Sequence, residues 1–384
     1  MVRILLISVL VICFVSCSKE ATYTGSINPH LENYDSILDA FTKKGHPGVG
    51  ALIQTEEEGI WNGSAGFASI EEGIPISPEH LFFSSSSAKA YTASAVLMLY
   101  EEGKIELDFC IDQYLPKSIS DQIPNGHTAT VRQLLQHTSG IPDSDEKRPV
   151  IEIHNNIEEW YWQDDLEGVY GMKPLFAPGT SLEYRATNYI LLAVIIDELT
   201  GNHGRFFSER IFKPLGLTNT YYKTEPGLPH PENLVEIYYD RYGDGIIENL
   251  TDILCVYSYN TTYGSCGLIA SLGDYAAFIQ ALFDGKILKP ETLEIMISPS
   301  FPGYEWRGMG IGIFDWIDND AISHRYYEMA GSSVWGLTQV RYFPADGITI
   351  ACATNIGTTN RPDSHQNFNE LLYDLTYSVF MGRN

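Results

Sequence analysis

Basic residues are scarce in this chain. Its 384 residues include 24 Lys and Arg against 49 Asp and Glu, which gives a formal net charge of −25. A nucleic-acid binder needs clustered Lys and Arg to neutralise phosphates, and the sequence shows no such cluster. The composition therefore excludes nucleic acid as a partner and predicts a well-solvated acidic surface.

Cysteine is sparse as well. None of the six cysteines belongs to a C-x-x-C pair or stands beside a histidine, so we expect neither a metal site nor a metal cofactor. Four of them are widely spaced in the body of the chain, and buried free thiols are the favoured interpretation: Cys110, Cys255, Cys266 and Cys352. Disulfides between them are the alternative if the compartment is oxidising.

A long apolar run occurs at the N-terminus, where MVRILLISVLVICFVSC places Arg3 before a stretch too short to span a membrane. The segment resembles a bacterial lipoprotein signal, with Phe14 where leucine is usual; an ordinary cleaved signal is the alternative. We expect residues 1–16 to be removed, Cys17 to carry the lipid and residues 17–32 to form a tether. The protein would then be anchored to a membrane of the bacterial cell envelope, on its periplasmic or outer side.

Strand-like patterns lie near both ends of the chain and helical patterns lie between them. HPGVGALIQT and GIWNGSAGFAS predict two strands near the start, and RGMGIGIFDW, SSVWGLTQVRYF and GITIACATN predict strands near the end. AKAYTASAVLMLYEEGK is apolar on nearly every face and predicts a central helix. We predict an α/β (α+β) fold in which residues 33–83 and 300–384 form an antiparallel sheet domain with terminal helices. Residues 84–299 would form an inserted helical domain, with a cleft between the two.

The stretch FFSSSSAKAYTAS contains an S-x-x-K pattern from Ser86 to Lys89. Residues three apart on a helix share a face, so the lysine can reach the serine hydroxyl. Serine becomes a nucleophile when a base takes its proton, and a desolvated lysine with a lowered pKa can be that base. Ser85 competes for the role because it stands four residues before Lys89, whereas Ser84 and Ser87 are interpreted as a cap and a packing residue.

Four segments together resemble, in order, the penicillin-binding, class C β-lactamase-like serine hydrolases, a family that includes D-alanyl-D-alanine carboxypeptidases and esterases. They are LFFSSSSAKAYTASAVLMLYEEGKIELD, VRQLLQHTSGIPD, APGTSLEYRATNYILLAVIIDELTG and SCGLIASLGDYAAFIQALFDGKIL, and IFKPLGLTNTYY, between the last two, is a fifth. The resemblance covers nearly all of residues 35–357 and implies a β-lactamase/transpeptidase-like fold. It also implies that Ser86 is the nucleophile and Lys89 its partner.

The second motif of this family is Tyr-x-Asn, and the matching residues are Tyr184, Arg185 and Ala186. The resemblance implies that Tyr184 relays a proton, while Ala186 cannot bind a substrate amide as the asparagine would. Asn188 is a candidate replacement for the asparagine. Arg185 is a candidate partner for a substrate carboxylate or, alternatively, a surface arginine. His137, in QHTSG, is interpreted as a structural residue that shapes a turn.

The third motif, Lys-Thr-Gly or His-x-Gly, corresponds to the region YEMAGSSVWGLTQVRYF. If Gly331 is the motif glycine, Met329 stands at the basic position; if Gly336 is, Ala330 stands there. Neither residue is basic. His324 is too far along the strand to replace the base without a bulge.

An oxyanion hole built from backbone amides needs no particular side chain. The resemblance implies that the backbone N–H groups of Ser86 and Ser332 form it, with Ser333 as the alternative to Ser332, and that Gly331 and Ser333 line the substrate site. We therefore predict a serine hydrolase that acts through an acyl-enzyme on a small-molecule, peptide or ester substrate, with weak or no β-lactamase activity. The alternative is a catalytically impaired surface lipoprotein that binds a cell-wall fragment or a protein in the same cleft.

Overall fold

A computed structural model describes residues 34–144, 161–222, 231–255, 263–358 and 362–381. The predicted signal, the tether and Cys17 lie outside these residues. The helices are α1 Tyr34–Thr42, α2 Lys89–Glu101, α3 Lys117–Ser120, α4 Val131–Leu135, α5 Trp162–Val169, α6 Ala186–Thr200, α7 His203–Phe207, α8 Lys213–Leu215, α9 Leu272–Phe283, α10 Pro290–Met296 and α11 Pro362–Met381. The strands are β1 Gly48–Thr55, β2 Gly59–Ser69, β3 Ile74–Pro75, β4 Phe82–Phe83, β5 Thr220–Tyr222, β6 Tyr238–Tyr239, β7 Glu248–Asn249, β8 Leu268–Ala270, β9 Gly312–Ile317, β10 Ser323–Ser333, β11 Gly336–Phe343 and β12 Ile348–Thr354.

Strands from the two ends of the chain form one seven-stranded sheet in the order β3-β2-β1-β12-β11-β10-β9. All neighbouring pairs in it are antiparallel. The register between β1 and β12, with Val49 opposite Thr354, joins the N-terminal strands to the C-terminal ones. The predicted antiparallel sheet is therefore confirmed.

Helices cover both faces of this sheet. On one face α1 and α11 contribute Ile37, Phe41, Phe368 and Leu372 to a core shared with β1 and β12. On the other face α2 and α9 pack with Met329 and Val340 of the sheet. Because both faces are covered, β12 is buried at every position, which explains why its sequence, ITIACAT, contains no charged residue.

The segment SSVWGLTQVRYF is not a single strand, and this part of the prediction is wrong. β10 ends at Ser333, Val334 and Trp335 form the connection, and β11 begins at Gly336. Gly336 has a φ of +132°, and a Cβ added there would lie 2.2 Å from the carbonyl oxygen of Thr354. Gly336 thus belongs to the next strand, which leaves Gly331 as the glycine of β10 that can serve the third motif.

The serine run follows a short strand of a second, three-stranded sheet in the order β4-β8-β5. Phe83 of β4 pairs with Ile269 of β8, and the next amide, that of Ser84, donates to the carbonyl of Leu268 at 2.8 Å. The chain then enters α2, in which ten residues are buried, as expected for a central helix. This arrangement fixes both ends of the serine run.

Within the described ranges, we find no helix with the length and apolarity that a bilayer crossing requires.

A buried ion pair connects the sheet to the C-terminal helix. Arg341 of β11 donates through Nε to Glu328 of β10 at 2.9 Å, and its Nη1 lies 3.2 Å from the hydroxyl of Thr376 on α11. Glu328 and Arg341 are 6% and 9% exposed, so neither charge can be hydrated if its partner is lost.

We expect Arg341→Met to lower the free energy of unfolding by about 3–5 kcal/mol, because it leaves the Glu328 carboxylate buried without its partner. The double variant Glu328→Met/Arg341→Met should recover most of that loss, since two apolar side chains of similar volume need no charge compensation. Urea unfolding of both variants and of the parent measures the difference. A double variant that is less stable than the single one would contradict this account.

Candidate active site

Ser86 differs from the other serines of its run in exposure. A 3₁₀-helical turn, Ser85–Ala88, leads directly into α2. Ser84, Ser85 and Ser87 are at most 1% exposed, whereas Ser86 is partly exposed. Of the four serine hydroxyls, that of Ser86 is the one a substrate can reach.

The three buried serines hold the turn together. Ser84 Oγ donates to the carbonyl of Ser85 at 3.0 Å, and Ser87 Oγ donates to the carbonyl of Ser84 at 2.7 Å. Ser85 has a left-handed φ of +46°, and its hydroxyl lies 2.6 Å from that of Ser333 on β10. A strained conformation at this point is maintained by surrounding contacts and sets the direction of the following residue. Ser85 thus has a structural environment that differs from that of a nucleophile.

Lys89 is 3% exposed and lies directly below Ser86. Its Nζ donates to Ser86 Oγ at 3.1 Å and to the carbonyl oxygen of Ser265 at 2.8 Å. Burial lowers the pKa of Lys89, but Tyr184, Cys266 and Asp143 favour its charged form, and together they raise the pKa above the usual value. The expectation of a lowered lysine pKa is therefore wrong, and Lys89 is an ammonium group at neutral pH.

The aromatic ring of Tyr184 lies beside the Lys89 ammonium group. Lys89 Nζ lies 5.0 Å from the centre of this ring, and the His137 ring lies 4.4 Å away at an angle of 35°. The guanidinium carbon of Arg307 is 4.9 Å from the same ring centre. The structure thus brings Tyr184 together with Lys89, as predicted, and adds a second cation that the sequence reasoning missed.

The loop that carries Tyr184 is held by two polar side chains, the partly buried Asp143 and the buried His137. Asp143 accepts the backbone N–H of Ala186 at 3.0 Å and that of Thr187 at 2.8 Å, which satisfies amides at the start of α6. His137 Nδ1 accepts the backbone N–H of Arg185 at 3.2 Å. Burial, with the charges of Arg307 and Lys89, lowers the pKa of His137 well below its usual value, so this ring is neutral. The structural interpretation of His137 agrees with these contacts.

Two predicted substrate-binding residues have protein partners. Asn188 is 1% exposed; Ser139 Oγ donates to its Oδ1 at 2.6 Å, and its Nδ2 lies 3.3 Å from His137 Nδ1. It is buried below the loop and does not replace the asparagine missing at Ala186. Arg185 pairs through Nη2 with Glu183 at 3.0 Å, the contact expected of a surface arginine. A substrate contact for Arg185 stays a prediction.

Strand β10 presents its backbone to the serine run. A Cβ added to Gly331 would lie 2.1 Å from the carbonyl oxygen of Ser84 and 2.9 Å from the amide nitrogen of Ser86, so only glycine fits there. Side chains alternate along a strand, so Met329 lies on the same face as Gly331. Met329 is 0% exposed and packs in the core. The basic position of the third motif is thus filled by a thioether side chain.

The two serines after Gly331 differ in their contacts. The exposed Ser332 hydroxyl lies 2.8 Å from that of Thr358, and Ser333 bonds Ser85 as described above. The assignment of the Ser332 amide as the second oxyanion donor stays a prediction. Ser333, which was predicted to contact the substrate, bonds the strained turn at Ser85. A substrate contact for Ser333 stays a prediction.

His324 lies away from Ser86 in its contacts. Its ring nitrogens lie 3.2 Å from a carboxylate oxygen of Asp318 and 2.9 Å from one of Asp346. Arg307, which was missed, stands between Trp306 and a glycine; an arginine beside aromatic residues in a chain poor in basic residues was the available signal.

Metal ligands do not cluster in the described part of the chain, where no group of three or more His, Cys, Asp or Glu side chains could hold an ion. Cys110, Cys255, Cys266 and Cys352 are not joined in disulfides; Cys255 and Cys352 are buried and the other two are partly exposed. Around Ser86 the structure brings serine, lysine and tyrosine side chains together.

Comparison with known proteins adds a family and a fold. Residues 34–375 match the family model described as Beta-lactamase. The putative penicillin-binding protein PbpX of Bacillus subtilis (strain 168) is 30% identical over 284 residues, which are 73% of this chain and 65% of that protein. Protein flp of Staphylococcus aureus (strain NCTC 8325 / PS 47) is 28% identical over 51% of this chain and 39% of its own length. The chain thus spans less than two thirds of the length of either relative.

Solved structures match over most of the described fold. A D-amino acid amidase from Ochrobactrum anthropi SV3, complexed with L-phenylalanine amide, has a TM-score of 0.77 at 23% identity, covering 91% of this chain and 98% of the amidase. A penicillin binding protein from Bacillus halodurans has a TM-score of 0.72 at 20% identity, covering 88% and 99%. EstCE1, a hydrolase with promiscuous acyltransferase activity, has a TM-score of 0.68 at 19% identity, covering 88% and 97%. At these identities the likeness is one of fold.

We expect Gly331→Ala to lower the free energy of unfolding by about 1–3 kcal/mol, because the new methyl group overlaps the backbone of the serine run. It should also slow the reaction of Ser86 with a fluorophosphonate by about 100-fold, since displacement by about 1 Å costs that much. The control is Gly273→Ala in α9, where the nearest atom to an added Cβ is Ser271 Oγ at 3.8 Å. Equal reactivity of the two variants would contradict the contact between β10 and the turn.

We expect His137 to reduce stability as the pH falls below about 6.5, the usual histidine pKa in an unfolded chain. Its folded pKa is lowered, so the unfolded state binds more protons there and stability falls by up to about 1.4 kcal/mol per pH unit. His137 has a φ of +59°, which asparagine tolerates, so His137→Asn is the matched variant. Urea unfolding at pH 7.5, 6.5 and 5.5 should show a shallower pH dependence for the variant; parallel curves would exclude this role.

Proposed function

The chain belongs to the beta-lactamase family, and from that premise we propose that it is a serine hydrolase forming an acyl-enzyme on Ser86. The observation that carries the proposal is the position of Ser86. It is the partly exposed serine of its run and accepts a hydrogen bond from the buried Lys89 ammonium at 3.1 Å. A structural serine at a helix start needs no buried cation below it.

The proposed reaction has two halves. Ser86 Oγ attacks the substrate carbonyl carbon, its proton passes to the Lys89–Tyr184 pair, and the carbonyl oxygen becomes an oxyanion that the Ser86 and Ser332 amides receive. The C–N or C–O bond of the substrate then breaks, and the leaving group takes the proton from the pair. In the second half, water attacks the carbonyl carbon of the acyl-enzyme and gives a proton to the pair. The ester bond to Ser86 then breaks, Ser86 recovers its proton, and the acid is released.

The pKa of Lys89 is raised above its usual value, so Lys89 alone is a poor base. We therefore assign the proton of Ser86 to the Lys89–Tyr184 pair rather than to Lys89 alone. The positive charge of Lys89 then lies beside the negative charge that develops on the reacting oxygen. This role fits the observed bonds from Nζ to Ser86 and to the Ser265 carbonyl.

We propose a small amide, peptide or ester as substrate, with weak or no hydrolysis of β-lactams. Ala186 offers no hydrogen bond where the family resemblance implies an amide-binding asparagine, and Met329 offers no charge at the basic position. Each missing donor costs a few kcal/mol of transition-state binding, which slows a reaction without abolishing it. The amidase and esterase-like hydrolase among the structures of similar fold support an amide or ester substrate.

The lipid anchor at Cys17 and a location in the bacterial cell envelope are also proposals. They rest on the N-terminal sequence alone.

We expect a fluorophosphonate, and a penicillin more slowly, to add once to the protein, as seen by intact mass spectrometry. Ser86→Ala should abolish the adduct, whereas Ser87→Ala should keep it, because the Ser87 hydroxyl is buried and bonded to Ser84. Hydrolysis of D-amino acid amides, nitrophenyl esters and a cephalosporin by the parent would then rank the substrates.

An adduct that persists in Ser86→Ala would show that another residue is the nucleophile. No adduct with either reagent would favour the alternative, a protein that binds a cell-wall fragment or another protein through the same cleft. Cephalosporin hydrolysis as fast as that of a dedicated β-lactamase would overturn the proposed substrate class.

A further inference from the structure

Arg307 lies in the connection between α10 and β9, about 120 residues from Tyr184 in sequence. Its guanidinium carbon is 4.9 Å from the ring centre of Tyr184 and 4.5 Å from that of Trp306. The backbone around it is fixed, since the Arg307 carbonyl accepts the Ser300 amide at 2.7 Å and the Arg307 amide donates to Tyr304 at 3.1 Å. A guanidinium group is attracted to the faces of aromatic rings, so both rings favour this position.

The charge of Arg307 affects the pKa of two groups beside Tyr184, His137 and Tyr189. After burial, it contributes most to lowering the pKa of His137, ahead of Lys89. It also opposes the rise in the pKa of the buried Tyr189 hydroxyl. The two affected rings are neighbours, and one of them contacts Tyr184: the His137 ring lies 4.4 Å from that of Tyr184 and 5.1 Å from that of Tyr189. The guanidinium is therefore part of the electrostatic environment in which Tyr184 acts.

The third-motif position that would carry a cation holds the buried Met329. We propose that Arg307 supplies the positive charge that this position lacks, and that it acts through Tyr184 as a positioning residue. The inference rests on the proposed function, in which the Lys89–Tyr184 pair accepts the proton of Ser86.

The charge acts on the reacting groups beside Tyr184. A nearby cation favours negative charge that develops on the reacting serine and on the substrate carbonyl oxygen. An arginine keeps its charge throughout the working pH range and gives or takes no proton, so it leaves the proton balance of the reaction unchanged. Arg307 and His137 both contact the Tyr184 ring and so restrict its position.

The test compares Arg307→Met, Arg307→Lys and Arg307→Ala in the full chain. The control is Arg325→Met, which removes an exposed arginine of β10 whose guanidinium pairs with Asp315 at 2.7 Å. The readouts are the second-order rate constant for fluorophosphonate addition to Ser86 and the thermal midpoint of each variant. Arg307→Met should react about 100-fold more slowly than the parent, Arg307→Lys within about tenfold of it, and the control like the parent.

Added guanidinium chloride at tens of millimolar should restore part of the rate of Arg307→Ala and leave that of Arg325→Met unchanged. Rescue by lysine and by free guanidinium reports the charge, because a purely packing role would respond to neither.

Two results would overturn the inference and leave the proposed function intact: an Arg307→Met variant that reacts like the parent, or equal losses in the methionine and lysine variants with no rescue. A parent protein that forms no adduct at all would instead overturn the proposed function. The two failures are thus distinguishable in the same experiment.

Discussion

The buried ammonium group of Lys89 is the constraint on which the site depends. A charge with 3% exposure is stable only if fixed acceptors replace water, and here the Ser86 hydroxyl and the Ser265 carbonyl do so. These acceptors come from the serine run and from the segment before β8, while Tyr184 comes from the loop before α6. Three distant parts of the chain must therefore be in place before the ammonium can be buried.

The sheet supplies the fourth part. The pairing of β1 with β12 joins the two ends of the chain, and two strands farther along β10 runs past the serine turn. Contact there is backbone to backbone, since Gly331 leaves no room for a side chain against Ser84 and Ser86. The hydroxyl pair of Ser85 and Ser333 holds the same two segments together and maintains the left-handed conformation of Ser85. Stability of the sheet and geometry of the site are thus linked through a few backbone atoms.

The spacing of apolar residues predicted the strands and the central helix well, because a strand or helix that is buried must carry apolar residues at its buried positions. The buried strands β1 and β12 and the apolar helix α2 are examples. The hairpin at Val334 and Trp335 was not predictable, since two apolar residues replace the usual turn residues and the apolar run continues on both sides. The raised pKa of Lys89 and the position of Arg307 arise from residues far apart in sequence, and no local pattern encodes them.

In the proposed function, the altered motifs affect substrate recognition more than proton transfer. Ser86, Lys89 and Tyr184 lie together, whereas the family resemblance implies groups that contact a substrate amide or carboxylate at the positions of Ala186 and Met329. In a chain with a net charge of −25, two cations nevertheless face one tyrosine ring, Lys89 at 5.0 Å and Arg307 at 4.9 Å. Two cations at these distances favour negative charge that develops on a reacting oxygen, whatever the remainder of the substrate is. In the proposed function, substrate selectivity then depends on the other residues around Ser86, and the two polar contacts missing from the motifs favour substrates that do not need them.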